Sequence, residues 1–273
     1  MNYQTFQPHP DLAAFVKLYW ELEVPADMEA EKQRVLPDGS LEMAFILADD
    51  VKRYTSESEY TIQPRAMIIG QITEPYFVQP AGEVLSFSVS FYPYGFANFV
   101  DKSISELANN DTPLQEVFGE QEASALERQI VEAKDTAGRI KVVEAFLLGK
   151  LAESATIDRV VKSTVDCLFE TQGRQSISKV LNEQPTSRRN LERKFRQQVG
   201  MSPKQLSKVA RLQAVLETLL NKGSESLTQI AYENDYYDQA HFNKDFKEFT
   251  GNKPKSFLKD EQMLLSTLFY SKD

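Results

Sequence analysis

SRRNLERKFRQQVGMSP, residues 187–203, decides the reading of this chain, because its outline returns 51 positions later as DQAHFNKDFKEFTGNKP, residues 238–254. Phe195 falls on Phe246, Gly200 on Gly251, Pro203 on Pro254, and Ser187 on Asp238. Two copies of one supersecondary unit are implied. Each copy starts at a residue whose side chain can accept hydrogen bonds from the first free NH groups of a helix, and stops at a glycine. In the first copy Leu191, Phe195 and Val199 make one apolar stripe and leave Arg189, Arg193 and Arg196 on another face; in the second, Phe242, Phe246 and Phe249 leave Gln239, Asn243 and Lys247 outside.

Upstream of each copy stands a shorter apolar segment, Ile177, Val180 and Leu181 in the first and Leu227, Ile230 and Ala231 in the second. A short helix, a tight turn and a longer helix with a polar, donor-rich face is the helix-turn-helix plan, in which the second helix enters the DNA major groove. The units are expected at about 174–200 and 224–251. Between them Lys204 to Leu220 reads as one continuous helix, a spacer of about 25 Å.

These residues resemble the AraC/XylS family of transcription regulators. The likeness is carried by SRRNLERKF, Gly200, Ser202-Pro203 and Arg211-Leu212 in the first half, and by Ile230-Ala231, Tyr236 to Phe242, Phe246, Gly251 and Pro254 in the second. Asp235 stands where the family usually has a turn glycine, and Gln184 and Pro185 depart from the usual first turn. The resemblance implies base contacts from Arg189, Glu192 and Arg193 in the first recognition helix and from Gln239, Ala240, Asn243 and Lys244 in the second. The chemistry suits that role: Arg pairs bidentately with guanine, Gln and Asn with adenine, and Ala meets a thymine methyl. Ser187, Arg188, Asn190 and Arg196 are expected to hold phosphates. His241, next to Phe242, reads either as a core or turn hydrogen-bonder or as a reader of bases.

The charge is divided. The chain of 273 residues carries −9 overall, yet between residues 170 and 259 16 Lys and Arg stand against 10 Asp and Glu, a balance of +6, leaving 15 against 30, or −15, for the rest. A basic module within an acidic chain suits phosphate binding. The length favours two domains, residues 1–152 and 153–273, and 41% hydrophobic with 26% charged residues is an ordinary globular composition. No run of about 18 apolar residues and no secretion signal are read, so no membrane partner is expected and the cytoplasm is the default. Cys167 is the only cysteine, which excludes an internal disulfide or a cysteine cluster.

The first hundred residues read as β. Phe15–Val24, Leu41–Leu47, Ala66–Ile69, Tyr76–Val78 and Val84–Phe91 are short apolar runs separated by turn chemistry such as Pro37-Asp38-Gly39 and Pro80-Ala81-Gly82. In Leu85-Ser86-Phe87-Ser88-Val89-Ser90-Phe91 the alternation puts every apolar side chain on one face. An α+β protein is expected: a small antiparallel β-barrel or sandwich with a helical belt over about 95–172, then an all-α tandem helix-turn-helix domain. The belt serves either to join domains or form a homodimer, or simply to cover the sheet. The pattern VLPDGSLEMAFIL, GQITEPYFVQP and FSVSFYPYGF also resembles the amino-terminal domain of a subset of AraC-type regulators, which implies effector sensing or dimerisation. Trp20, Phe45, Tyr76 and Phe87 are the candidate pocket aromatics, with barrel core the plainer reading.

Enzymatic readings fare worse. His9 is the only histidine before residue 241, too few for a metal site of the cupin kind, and neither a Gly-rich phosphate loop nor a nucleophile elbow is present. Glu42, Glu74 and Glu83 read as surface carboxylates rather than an acid–base pair. No cofactor or metal is implied. The rival reading, an enzyme or DNA-repair protein carrying an AraC-like module, needs a reactive cysteine, whereas Cys167 lies in an apolar helix. The expected partners are double-stranded DNA and, by the resemblance, RNA polymerase and a small-molecule effector, for an activator or a repressor alike.

Overall fold

The computed structural model describes residues 1–26, 31–151, 157–182, 186–222, 229, 231–232, 236, 238–257 and 262. Its amino-terminal part is built on two antiparallel sheets that do not close. Six strands form the larger one: β1 (Asn2–Phe6), β2 (Val16–Val24), β9 (Val84–Phe91), β4 (Leu41–Ile46), β7 (Ala66–Ile69) and β10 (Asp111–Pro113), in that spatial order. Four form the smaller, in the order β3 (Gln33–Val35), β8 (Tyr76–Pro80), β5 (Val51–Tyr54), β6 (Tyr60–Ile62). The expected runs appear with ends shifted by a few residues at most. Half of the strands, β1, β3, β5, β6 and β10, were not expected. β1 (NYQTF), β5 (VKRY) and β6 (YTI) lack buried residues, and β10 (DTP) exists only because it pairs with β7.

The two faces of the large sheet differ in kind. One is dry and aromatic: Tyr19, Phe45, Phe87, Val89 and Phe91 join Leu126, Ile130, Val143 and Leu147 in one core. Those last four come from α2 (Glu120–Glu132) and α3 (Thr136–Leu151), which with α1 (Leu114–Phe118) form the belt. The belt therefore covers the sheet, the plainer of its two readings. α2 and α3 are separated by residues 133–135, and the Asp135 carboxylate opens α3 by accepting from the Gly138 NH at 2.8 Å. Glu21 fixes α3 to the sheet by accepting from Thr136 Oγ1 at 2.7 Å and Arg139 Nη1 at 2.6 Å. The opposite face looks toward the small sheet across a cavity.

The carboxyl-terminal part is helical: α4 (Arg159–Glu170), α5 (Ile177–Asn182), α6 (Arg188–Gln198), α7 (Pro203–Lys222), α8 (Gln239–Thr250) and α9 (Pro254–Phe257). One core unites both copies of the repeat, with Leu191 and Phe195 of α6, Leu206 to Leu219 of α7, and Phe242, Phe246 and Phe249 of α8. Leu36 and Tyr94 of the amino-terminal part are buried in that same core. The two parts meet through packed side chains, not only through a linker. Leu227, Ile230, Asp235, Gln184, Pro185 and, apart from Gln262, the tail after Lys259 lie outside the described residues.

Candidate nucleic-acid interface and inter-sheet cavity

Both long repeat helices start on the caps the sequence specifies. Ser187 Oγ accepts from the Asn190 NH at 3.3 Å, and Asp238 Oδ1 from the His241 NH at 2.7 Å. Both end at glycines in the left-handed region, Gly200 at φ 86° and Gly251 at φ 72°. The apolar stripes are buried, so the polar residues are displayed. On α6, Arg188, Arg189, Glu192, Arg193 and Arg196 are exposed and Asn190 half-buried. Arg188 Nε pairs with Glu192 at 3.1 Å, and Arg193 Nη2 donates to Asn190 Oδ1 at 2.9 Å, so two guanidinium groups are positioned by neighbours on their own helix. On α8, Gln239, Ala240 and Lys244 are exposed and Asn243 half-buried. The candidate base and phosphate contacts thus share the outer faces of their helices. His241 is engaged locally, with its ring edge-on to Tyr236 at 5.6 Å and Nε2 3.8 Å from Asp245.

Orientation follows from the glycines. A β-carbon at Gly200 would lie 3.0 Å from Ile104 Cγ2, and one at Gly251 3.9 Å from Arg34 Nε. Ile104 and Arg34 belong to the amino-terminal part, so both helices turn their carboxyl ends toward it and carry their capped starts at the other end. Lys194 sits on the side of α6 toward α4, where its ammonium donates to Asp158 at 2.5 Å. Burial alone would raise the Asp158 carboxyl, but the Lys194 bond and the NH groups of Val160 and Val161 outweigh it and hold the group below its ordinary range.

The second feature is a cavity of about 590 Å³ between the sheets. Leu18, Trp20, Leu22 and Val24 of β2, Glu42, Ala44 and Ile46 of β4, Val84, Ser86 and Ser90 of β9, and Tyr76 and Val78 of β8 line it. Ala210, Gln213, Ala214 and Glu217 of α7 complete the wall. Of the four expected aromatics, Trp20, Phe45 and Tyr76 touch the cavity. Phe87 does not border it: its ring stacks between Tyr19 and Phe45 at 6.3 and 6.2 Å on the belt side of the sheet.

Glu42 is not a surface carboxylate. It accepts from Trp20 Nε1 at 2.9 Å and Ser88 Oγ at 2.5 Å, and Ser90 bonds to it as well. Burial, reinforced by the nearby Asp38 charge, pushes its pKa up to about 7 against these bonds. Burial and the Asp111 carboxylate likewise raise the Tyr76 phenol. The signal for this polar wall was present in the alternating serines of β9. Ser86 and Ser90 face the cavity, on the side of the strand opposite Phe87, Val89 and Phe91. Among the described residues no group of His, Cys, Asp and Glu could hold a metal ion, and no helix is long and apolar enough to cross a membrane.

Comparison with known proteins matches two separate segments of the chain. Residues 4–113 match a family described as a domain of unknown function (DUF6597), and residues 182–260 match one described as a helix-turn-helix domain. None of the curated proteins matches. Among solved structures, ToxT from Vibrio cholerae is 12% identical with a TM-score of 0.48, covering 97% of this chain and 100% of that one. ToxT from V. cholerae O395 bound to (E)-4-(8-methylnaphthalen-1-yl)but-3-enoic acid is 14% identical with a TM-score of 0.47, over 95% and 99%. The AraC-like transcriptional activator CuxR is 10% identical with a TM-score of 0.33, over 85% and 84%.

Proposed function

We infer, from the premise that residues 182–260 are an AraC-type helix-turn-helix domain, that this protein is a sequence-specific DNA-binding transcription regulator with two recognition helices, α6 and α8. The observation that carries the reading is the shared orientation of the two helices. Each buries its apolar stripe in the common core, turns its carboxyl end to the amino-terminal part, and leaves its polar face open. Between them α7, with 20 residues, spans about 30 Å, close to the roughly 34 Å of one DNA turn.

Arg189, Glu192 and Arg193, with Gln239, Ala240, Asn243 and Lys244, are the proposed base readers, and Ser187, Arg188, Asn190 and Arg196 the proposed phosphate contacts. Arg193 is the sharpest case, because its bond to Asn190 fixes its direction before DNA arrives and lowers the entropy lost on binding. Arg193→Ala should weaken binding to the preferred duplex by about 1–3 kcal/mol and relax the preference at one base pair. Selection of bound duplexes from a random pool, followed by titration of the winner against both proteins, measures this. Equal affinity and an unchanged preferred sequence in the variant would remove Arg193 from the reading surface.

The amino-terminal part is proposed as the sensor, with the inter-sheet cavity as the effector site. Its wall includes α7, the helix that joins the two recognition units, so an occupant would touch sensor and reader at once. On this reading an activator would add a contact to RNA polymerase, and a homodimer would supply a second pair of recognition helices. The rival reading as an enzyme or DNA-repair protein would place its chemistry on Cys167, which is half-buried in α4.

A further inference from the structure

The effector reading leaves the ligand's chemistry open, and the cavity lining narrows it. The cavity has two unlike ends, fixed by strand pairing. Glu42 lies opposite Ser90, Ile46 opposite Ser86, and Val24 opposite Val84. Ile46, Val24 and Val84, with Leu22 and Val78, therefore make an apolar end, while Glu42, Ser90 and the Asp38–Ser40 loop make a polar one. The polar end adjoins the helical domain. Gln213 on α7 donates to the Pro37 carbonyl at 2.6 Å, and a β-carbon at Gly39 would lie 3.0 Å from Phe169 Cζ.

The charges at this cavity are mostly acidic. Glu31, Asp38, Glu42 and Glu217 line it, against two cationic groups, the exposed Lys17 side chain and the Met1 amino group. Arg53, whose guanidinium lies 3.9 Å from the Tyr76 ring centre, is committed to the Asp111 carboxylate and the Asn109 carbonyl. A carboxylate or phosphate head at the Glu42 end would enter against the Glu42 and Asp38 carboxyls. Two acids brought together at a partly buried site repel each other, and a cation between them relieves that repulsion. Two aromatic rings, Trp20 and Tyr76, border the same region, and an ammonium group is drawn to ring faces as well as to carboxylates.

We propose that the cavity takes an amphiphilic cation, its amine or quaternary ammonium head held by Glu42 and Asp38 beside Trp20 and Tyr76, its apolar body lying between the sheets toward Ile46 and Val84. The assignment rests on the effector reading and sharpens it. Because the head group sits where the Leu36–Ser40 loop meets α7, its arrival is felt at the sensor–reader junction.

The titratable groups around Glu42 are Asp38 on the loop and Tyr76 on the facing sheet, with Asp111 and Arg53 behind Tyr76 and Glu217 on α7. Of these, Glu42 is the carboxyl moved to near neutrality, so the ionised fraction, and with it the affinity for a cation, should rise about tenfold between pH 6 and pH 8. A primary amine stays charged across that range.

The test uses the full chain and three probes of equal length, octylamine, octanoic acid and 1-octanol, followed by calorimetry and thermal unfolding at pH 6 and 8. Octylamine should bind at least tenfold tighter than either other probe at pH 8, with protons released on binding at pH 7. Glu42→Gln should cost the amine at least tenfold, abolish the pH dependence and leave octanol binding unchanged. Asp38→Asn is the second variant and should cost about threefold. Tighter binding of octanoic acid, or unchanged amine binding in both variants once unfolding curves show them folded, overturns the cation assignment while leaving an effector site in place. No binding of any probe, with DNA retardation also unaffected by all three, overturns the effector reading and the assignment together.

Discussion

Gly200 and Gly251 hold the same place in the two halves of the repeat, yet the protein treats them differently. Both end a recognition helix in the left-handed region, where a β-carbon is penalised whatever its surroundings. Beyond that shared demand, Gly200 is wedged. A β-carbon there would meet both the Ile104 side chain, at 3.0 Å, and the Ile104 carbonyl oxygen, at 3.1 Å. The nearest atoms to one on Gly251, Arg34 Nε and Pro75 Cγ, stand at 3.9 and 4.0 Å, ordinary contact. The first unit is also held by Ser103, whose hydroxyl donates to the Arg196 carbonyl at 3.5 Å, and by the Lys194–Asp158 pair. The second is tied instead to α7, through Lys208 to Asp245 and Glu248 at 3.4 and 3.1 Å. Sequence repetition has produced two similar helices, and docking has made one of them the closer neighbour of the amino-terminal part.

The comparison can be broken most directly at the core. Phe195 and Phe246 occupy equivalent positions and both are buried. Phe195→Ala and Phe246→Ala should each cost about 3–5 kcal/mol. Because both rings sit in one core, the two losses should be similar and each should appear as a single shifted unfolding transition. A variant that melts in two steps would show that the units are separate folding bodies.

The glycines sharpen it next. Gly251→Ala should cost about 1–2 kcal/mol, the penalty of the left-handed backbone alone. Gly200→Ala adds overpacking of about 1–3 kcal/mol against Ile104. Denaturant titration of both variants measures the gap, and equal losses would mean that the first unit is no more tightly docked than the second.

The smallest effect concerns pH. Asp158 is held below its ordinary pKa, so its contribution to the folded state is complete at neutral pH and fades as pH falls through and below the usual carboxylate range. A partly exposed pair of this kind contributes about 1 kcal/mol or less. Amide exchange in α6 should therefore quicken below about pH 4 relative to α8, and Asp158→Asn should flatten that trend. Parallel acid responses of the two helices would show that the pair does not tether α6.

Much of this was legible from residue order because it rests on short-range physics. The caps at Ser187 and Asp238, the glycine stops and the four-residue apolar stripes act within one or two helical turns, and they specified both recognition helices. The alternation of β9 likewise specified a strand with an apolar face. The unforeseen strands were of another kind. β10, only three residues long, is a strand because β7 lies beside it, and its own side chains carry no period that reveals this. Glu42 was assigned to the surface for the same reason: an isolated carboxylate beside a turn looks solvated until the opposing sheet is in place.

Residue order by itself determined the tandem helical repeat, the polar outer faces of its two long helices and the β-rich character of the first hundred residues, since hydrogen-bond capping and side-chain periodicity are local. Only the tertiary structure decided that the serine face of β9 looks inward, that Phe87 faces the belt and not the cavity, and that α7 walls the space beside Glu42. Those outcomes depend on which surfaces meet across long stretches of chain, and neither spacing nor composition encodes that meeting directly.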